Sequence, residues 1–190
     1  GHTYYDLDDP VRKALGELIA LHPREVWDEI AAKLLSKKWD VRFYAESLLA
    51  DRHSNESHLA RGISFPVPTD VILGWVREDP AKRARLAVAW LPVATKNDDG
   101  SLQWHPEIES FVGEFANIPE ILGALAMRFR PSSWWGSLAP YLEPIIPLLE
   151  EWRTHPSENV RSWVAQQIDY LKREIADAHK RSEEDVVRLS

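Results

Sequence analysis

The chain contains no cysteine in its 190 residues. That removes disulfide frameworks, thiolate zinc sites and cysteine nucleophiles together, and leaves the compartment open. No uninterrupted apolar run approaches the ~18 residues that a membrane span requires. The N-terminus has neither the basic nor the apolar region of a signal peptide. A Gly-rich phosphate loop, a nucleophile elbow and a His-Glu-x-x-His motif are all missing, and no pair of carboxylates is set apart for acid–base work. Positive charge is in deficit, with 23 Lys and Arg against 30 Asp and Glu and a net charge of −7. Such a balance opposes a nucleic-acid backbone in the far field, while still permitting a local basic patch.

What is present is an ordinary globular composition, 44% hydrophobic and 28% charged. A chain of this length buries roughly 70% of its unfolded surface and needs no metal or disulfide staple. Gly1-His2 reads as the remnant of a removed tag, and the rest as the C-terminal part of a longer protein. A single domain is expected over residues 3–178, followed by a charged tail over 179–190. Lys180-Arg181-Ser182-Glu183-Glu184-Asp185 makes that tail a solvated helix end or a disordered one.

Proline sets the helix starts. Asp9-Pro10, His22-Pro23, Asp79-Pro80, His105-Pro106, Ile118-Pro119 and His155-Pro156 each precede an apolar pattern of helical period. Asp9 and Asp79 would add a capping oxygen, and the three histidines need no role beyond marking helix starts. One apolar face gathers Val11, Leu15, Leu18 and Ile19, the next Val26, Ile30, Leu34 and Leu35, and a third Val41, Ala45, Leu48 and Leu49. Val71, Leu73, Trp75 and Val76 follow, then Leu86, Val88, Trp90 and Leu91. Ile108, Phe111, Val112 and Phe115 come next, then Ile121, Leu122, Leu125 and Phe129. Val160, Val164, Ile168, Leu171 and Ile175 make the longest stripe. About nine helices and no strand are expected; Asp99-Gly100 falls in a polar turn between helices rather than in a hairpin. Residues 51–68 and 130–137 are expected to be loops.

A short signature recurs at Val11-Arg12, Val41-Arg42, Ala84-Arg85 and Val160-Arg161, with small or apolar residues three or four positions later. The arginines are 30, 43 and 76 residues apart, the last near two units of ~38. With His155-Pro156-Ser157-Glu158-Asn159-Val160-Arg161 as its best example, this pattern resembles the second helix of a HEAT (armadillo-type) repeat. The resemblance implies an all-α fold, an α-solenoid of about nine antiparallel helices in four to five pairs. It also implies that Arg12, Arg42 and Arg161 are structural, each tied to a nearby acid such as Asp40 or Glu158. The segment Trp134-Trp135-Gly136-Ser137-Leu138-Ala139-Pro140-Tyr141-Leu142 with the final repeat is similar to C-terminal helical regions of large multidomain bacterial proteins. Some of those are signalling or phage-defence ATPases.

Two surfaces could carry binding. Arg128, Arg130, Trp134 and Trp135 could form a basic-aromatic platform of the kind that stacks on unpaired bases. HEAT-like alkylpurine DNA glycosylases also use tryptophans and an arginine, but add an aspartate that this loop lacks. Large aromatics more often serve burial, so Trp134 and Trp135 are expected to plug a gap between helix pairs, with the arginines solvated. Arg77, Lys82, Arg83 and Arg85 form a second basic cluster, expected to pair mainly with Glu78, Asp79 and neighbouring repeats. Trp27, Trp75, Trp90, Trp152 and Trp163 are expected in the core, and Trp39 and Trp104 to staple helix starts. Asp51, His53, Glu56 and His58 offer donors for a metal, but in no standard spacing, so solvated histidines are expected and no metal or cofactor.

Taken together, these features lead to the expectation of a cytoplasmic, non-catalytic interaction or scaffold module. It would bind a partner protein or other domains of its own chain, with no membrane association. A nucleic-acid-binding module related to the HEAT-like glycosylases is the alternative.

Overall fold

The computed structural model describes residues 8–49, 58–60, 62–63, 67–131 and 133–189, and for 8, 9, 119 and 185–189 the backbone alone. Helices dominate, as the periodicity predicts, and they fall into two compact units. One comprises residues 1–55 and 61–92, the other 56–60 and 93–190.

The first unit holds α1 (Asp8–Leu21), α2 (Pro23–Leu34), α3 (Trp39–Leu49), α4 (Thr69–Glu78) and α5 (Pro80–Trp90). Its two sharpest corners use one device. A residue before proline is pushed out of the helical region, and proline itself suits the first helical position. His22 accordingly takes φ −136° and ψ 62° between α1 and α2. Asp79 takes φ −153° and ψ 74° between α4 and α5. Neither side chain caps the helix that follows; the Asp79 carboxylate instead accepts from Lys82 Nζ at 2.7 Å. Asp9 and Pro10 are no cap either, because α1 already begins at Asp8. The core gathers around α2, which contacts α1, α3 and α4. There Trp27 meets Trp75 edge to face, with ring centroids 5.6 Å apart.

The second unit holds β1 (Ala94–Lys96), β2 (Leu102–Trp104), α6 (Pro106–Phe115), α7 (Pro119–Arg128), α8 (Ala139–Leu142), α9 (Ile145–Glu151), a 3-10 turn over Trp152–Thr154 and α10 (Glu158–Leu189). The two strands are a departure from the expected all-helical reading. They pair antiparallel, Ala94 with Trp104 and Lys96 with Leu102, around a turn in which Gly100 takes φ +88°. Asp99 fixes that turn by accepting from Ser101 N at 2.9 Å and Ser101 Oγ at 2.6 Å. Those two bonds hold its carboxyl below the usual range. Three residues per strand are too few for alternation to show in a sequence.

The hairpin ends at Trp104, directly before the N-cap His105 of α6, and turns that side chain into the core. Its ring stacks on Trp152 at 3.7 Å, and its Nε1–H donates to the Leu148 carbonyl at 2.8 Å. Phe129 and Trp163 complete the aromatic cluster, 6.0 Å from each other. Along α10 the stripe Val160, Val164, Ile168 and Leu171 is buried, as the spacing predicts, while Ile175 is half-buried. The helix continues through the charged tail to Leu189.

Candidate interaction surface

The apolar stripes of the two units meet different fates. In α6 and α7 every predicted stripe residue is buried, from Ile108 through Phe129. In α1–α3 the stripe is wider than the face that is covered. Ile19, Ile30, Leu34, Ala45, Leu48 and Leu49 are buried, but Val11, Leu15, Val26 and Val41 are only half-buried. Leu18 and Leu35 are exposed outright. Burial of a Leu side chain is worth about 1.5–3 kcal/mol, so a fold that leaves this much apolar surface open forgoes a substantial stabilisation.

Of these uncovered residues, Leu15, Leu18 and Val26 line a groove of about 490 Å³ between the three helices. Leu15 and Leu18 come from α1, His22 from the corner after it, Glu25, Val26, Glu29, Ile30 and Lys33 from α2, and Tyr44 and Leu48 from α3. Each set recurs at three or four residues, the spacing that brings side chains onto one helix face. Further exposed apolar residues belong to the same helices: Leu21 on α1, and Trp39 and Phe43 on α3, stacked at 5.0 Å. On the rim, Lys33 pairs with Glu29 at 3.4 Å, whereas Glu25 is exposed and has no ion-pair partner among the described residues.

None of these groove residues was predicted as a binding residue. The one legible signal was the excess width of the stripes, Leu18 beside Ile19 and Leu35 beside Leu34.

In the basic cluster on α4 and α5, Lys82 and Arg83 form ion pairs. Arg83 binds Glu78 at 2.6 Å, donates to the Trp75 carbonyl at 2.8 Å and lies over the Trp75 ring. Lys82 binds Asp79, and Arg24 reaches Glu78 from α2 at 3.1 Å. The Arg83 bond leads in holding the Glu78 carboxyl below its ordinary value. Arg77 and Arg85 are exposed.

The loop after α7 differs from its expected packing. Trp134 is 49% exposed and Trp135 92% exposed, so neither plugs a gap. Its arginines are not simply solvated. Arg128 is half-buried, which draws its guanidinium below its usual pKa, and Arg130 forms an ion pair with Glu174 of α10. Of the four expected platform residues, Arg130 is thus engaged in an ion pair.

Each of the three signature arginines holds a bond within its own unit. Arg12, 8% exposed, donates to the carbonyls of Ser47 at 2.9 Å and Leu48 at 3.4 Å. Both acceptors lie in the last described turn of α3, where the arginine meets the negative end of the helix dipole. Arg42 pairs with Glu46 at 3.8 Å. Arg161 donates to the carbonyls of His155 and Pro156, at 2.6 and 2.8 Å.

Among the suggested metal donors, Asp51, His53 and Glu56 lie outside the described residues. His58 is half-buried rather than solvated, and its Nε2–H donates to the Phe129 carbonyl at 3.0 Å. No cluster of three or more metal-binding side chains occurs among the described residues. No described helix is long and apolar enough to cross a membrane. Two of the proline-preceding histidines accept from the backbone two residues on, and of these His105 is the N-cap of α6. His105 Nδ1 accepts from Glu107 N at 3.3 Å and His155 Nδ1 from Ser157 N at 3.1 Å.

Compared with protein-family models, curated proteins and solved structures, the chain matches none.

Proposed function

We propose that this chain is a non-catalytic, HEAT-like interaction module, which docks a partner protein or another domain of its own parent chain in the α1–α3 groove. The observation that supports this is the uncovered apolar stripe. Contiguous exposed apolar patches are uncommon on monomeric surfaces and mark interaction sites when polar residues rim them. Here Glu25, Glu29 and Lys33 supply the rim. A helical-repeat arrangement suits the role, because stacked helices present extended surfaces.

The test separates a docking face from a poorly filled core. An environment-sensitive apolar dye should bind the chain at one dominant site, and Leu18→Asn with Tyr44→Ala should abolish that binding. Because both side chains are about half exposed, the far-UV circular dichroism and the urea midpoint should barely move. Loss of folding in the double variant would mean that the groove is core, and would end this reading.

A nucleic-acid platform at Trp134 and Trp135 has one observation in its favour, the exposure of both rings. Against it stand the Arg130–Glu174 pair and the net charge of −7. Salt-dependent binding of single-stranded DNA, lost in Trp135→Ala, would favour that alternative, since phosphate contacts release counterions.

A further inference from the structure

We infer that the occupant of the α1–α3 groove is a basic amphipathic helix, with an apolar face flanked by Lys or Arg, supplied by a partner protein. The inference rests on the docking reading above and specifies its partner. Three features lead to it.

The first is shape. The α1 side runs from Leu15 to His22 and the α2 side from Glu25 to Lys33. At 1.5 Å per residue both walls are about 10–12 Å long, close to two helical turns. That length matches the i, i+3 or i+4, i+7 anchors by which a helix lies in a groove. The floor is Ile30 and Leu48, nearly buried, and the walls are Leu18 and Tyr44, each about half exposed. A docked helix would cover the wall residues and complete the burial that α1–α3 leave unfinished.

The second is charge. Glu25 and Glu29 lie one turn apart on the α2 side of the groove. Lys33 satisfies Glu29, and Glu25 has no ionic partner among the described residues. A lysine or arginine beside the apolar face of the incoming helix would supply one. An acidic helix would instead meet Glu25 and a chain already carrying −7. Complementary charge of this kind acts on encounter rate and partner choice.

The third is the character of the walls. Leu18 and Tyr44 belong to different helices, and only Lys33 and the carboxylates bring charge to the lining. A groove of this volume falls in the range of about 300–1,000 Å³ that also takes small apolar molecules. Such a molecule, however, would make no use of Glu25.

The experiment uses the whole chain and two synthetic helices. Each is roughly 18 residues, long enough to populate a helix in water, with identical leucine faces. One carries lysines on its flanks, the other glutamates. Fluorescence anisotropy at low salt should show the lysine peptide binding about tenfold or more tightly than the glutamate peptide. Glu25→Gln should remove most of that preference, and Leu18→Asn with Tyr44→Ala should weaken both peptides. Equal binding of the two peptides, indifferent to Glu25→Gln, would overturn the basic-helix inference and leave the docking groove standing. Binding of neither peptide would count against both. Lysine-peptide binding that survives the Leu18 and Tyr44 changes would place the contact elsewhere and refute the inference. So would a stable dimer in sedimentation that the lysine peptide fails to dissociate, since a second copy would then fill the groove.

Discussion

Replacing Arg12 with methionine keeps the apolar stem and removes the guanidinium bound to the Ser47 and Leu48 carbonyls of α3. The 2.9 Å bond to the Ser47 carbonyl is charge-assisted and worth about 1.5–3 kcal/mol. The 3.4 Å bond to Leu48 is at the long limit and adds little. A cation at the negative end of a helix contributes a further ~0.3–1 kcal/mol. The expected loss is therefore about 2–4 kcal/mol, a large share of the 5–15 kcal/mol that holds a typical domain. Urea unfolding followed by tryptophan fluorescence reads it directly. With a slope of about 2 kcal/mol per molar, the midpoint should fall by roughly 1–2 M. Asp40→Asn is the matched control. If the arginine were tied to an acid in the HEAT manner, that change would cost as much as the loss of Arg12. In this structure Asp40 is exposed, and the shift should stay within about 0.5 kcal/mol. A silent Arg12→Met, or an Asp40→Asn as damaging as it, would refute this role for Arg12.

Two further outcomes concern the second unit. Trp104→Phe keeps an aromatic ring against Trp152 but strands the buried Leu148 carbonyl, at a cost of about 1–3 kcal/mol with more for the lost ring volume. Near-ultraviolet circular dichroism should lose the signal of the stacked Trp104–Trp152 pair, and an unchanged spectrum would mean that the stack does not form in solution. Burial, and then the nearby Arg161, push the His155 pKa below its ordinary value. Its Nδ1 can accept from Ser157 only when unprotonated. The unfolded chain therefore binds the proton more readily, and stability should fall as pH drops below the unfolded value near 6.5. His155→Asn, which can still accept from Ser157 N but does not titrate, should flatten the melting temperature between about pH 7.5 and 5.5; an unaltered slope would assign the pH dependence to other groups.

The sequence carried the helices because they follow from local physics. Proline before an apolar repeat starts a helix at Pro23, Pro80, Pro106 and Pro119, whereas Pro10 lies inside α1 and Pro156 two residues ahead of α10. A stripe at three- and four-residue spacing needs a covered side whatever covers it. The charge pairing of Lys82 and Arg83 with Asp79 and Glu78 was legible for the same reason, since those partners lie within five residues. The hairpin was not, because three-residue strands are stabilised by Trp104 reaching Leu148 and Trp152, 44 and 48 residues away.

Which stripes are actually covered is decided only by tertiary packing. Leu18 and Ile19 are equivalent as letters in a helical pattern, yet one lies exposed and the other is buried. Trp104 and Trp135 share a side chain, and one fills the core while the other stands in solvent. Arg12 shows the same limit, since its signature fixed a structural arginine but not the carbonyls 35 and 36 residues away that it binds. Periodicity states that a face is apolar; the helices that arrive against it, brought from distant parts of the chain, determine whether that face becomes core or remains open as a groove.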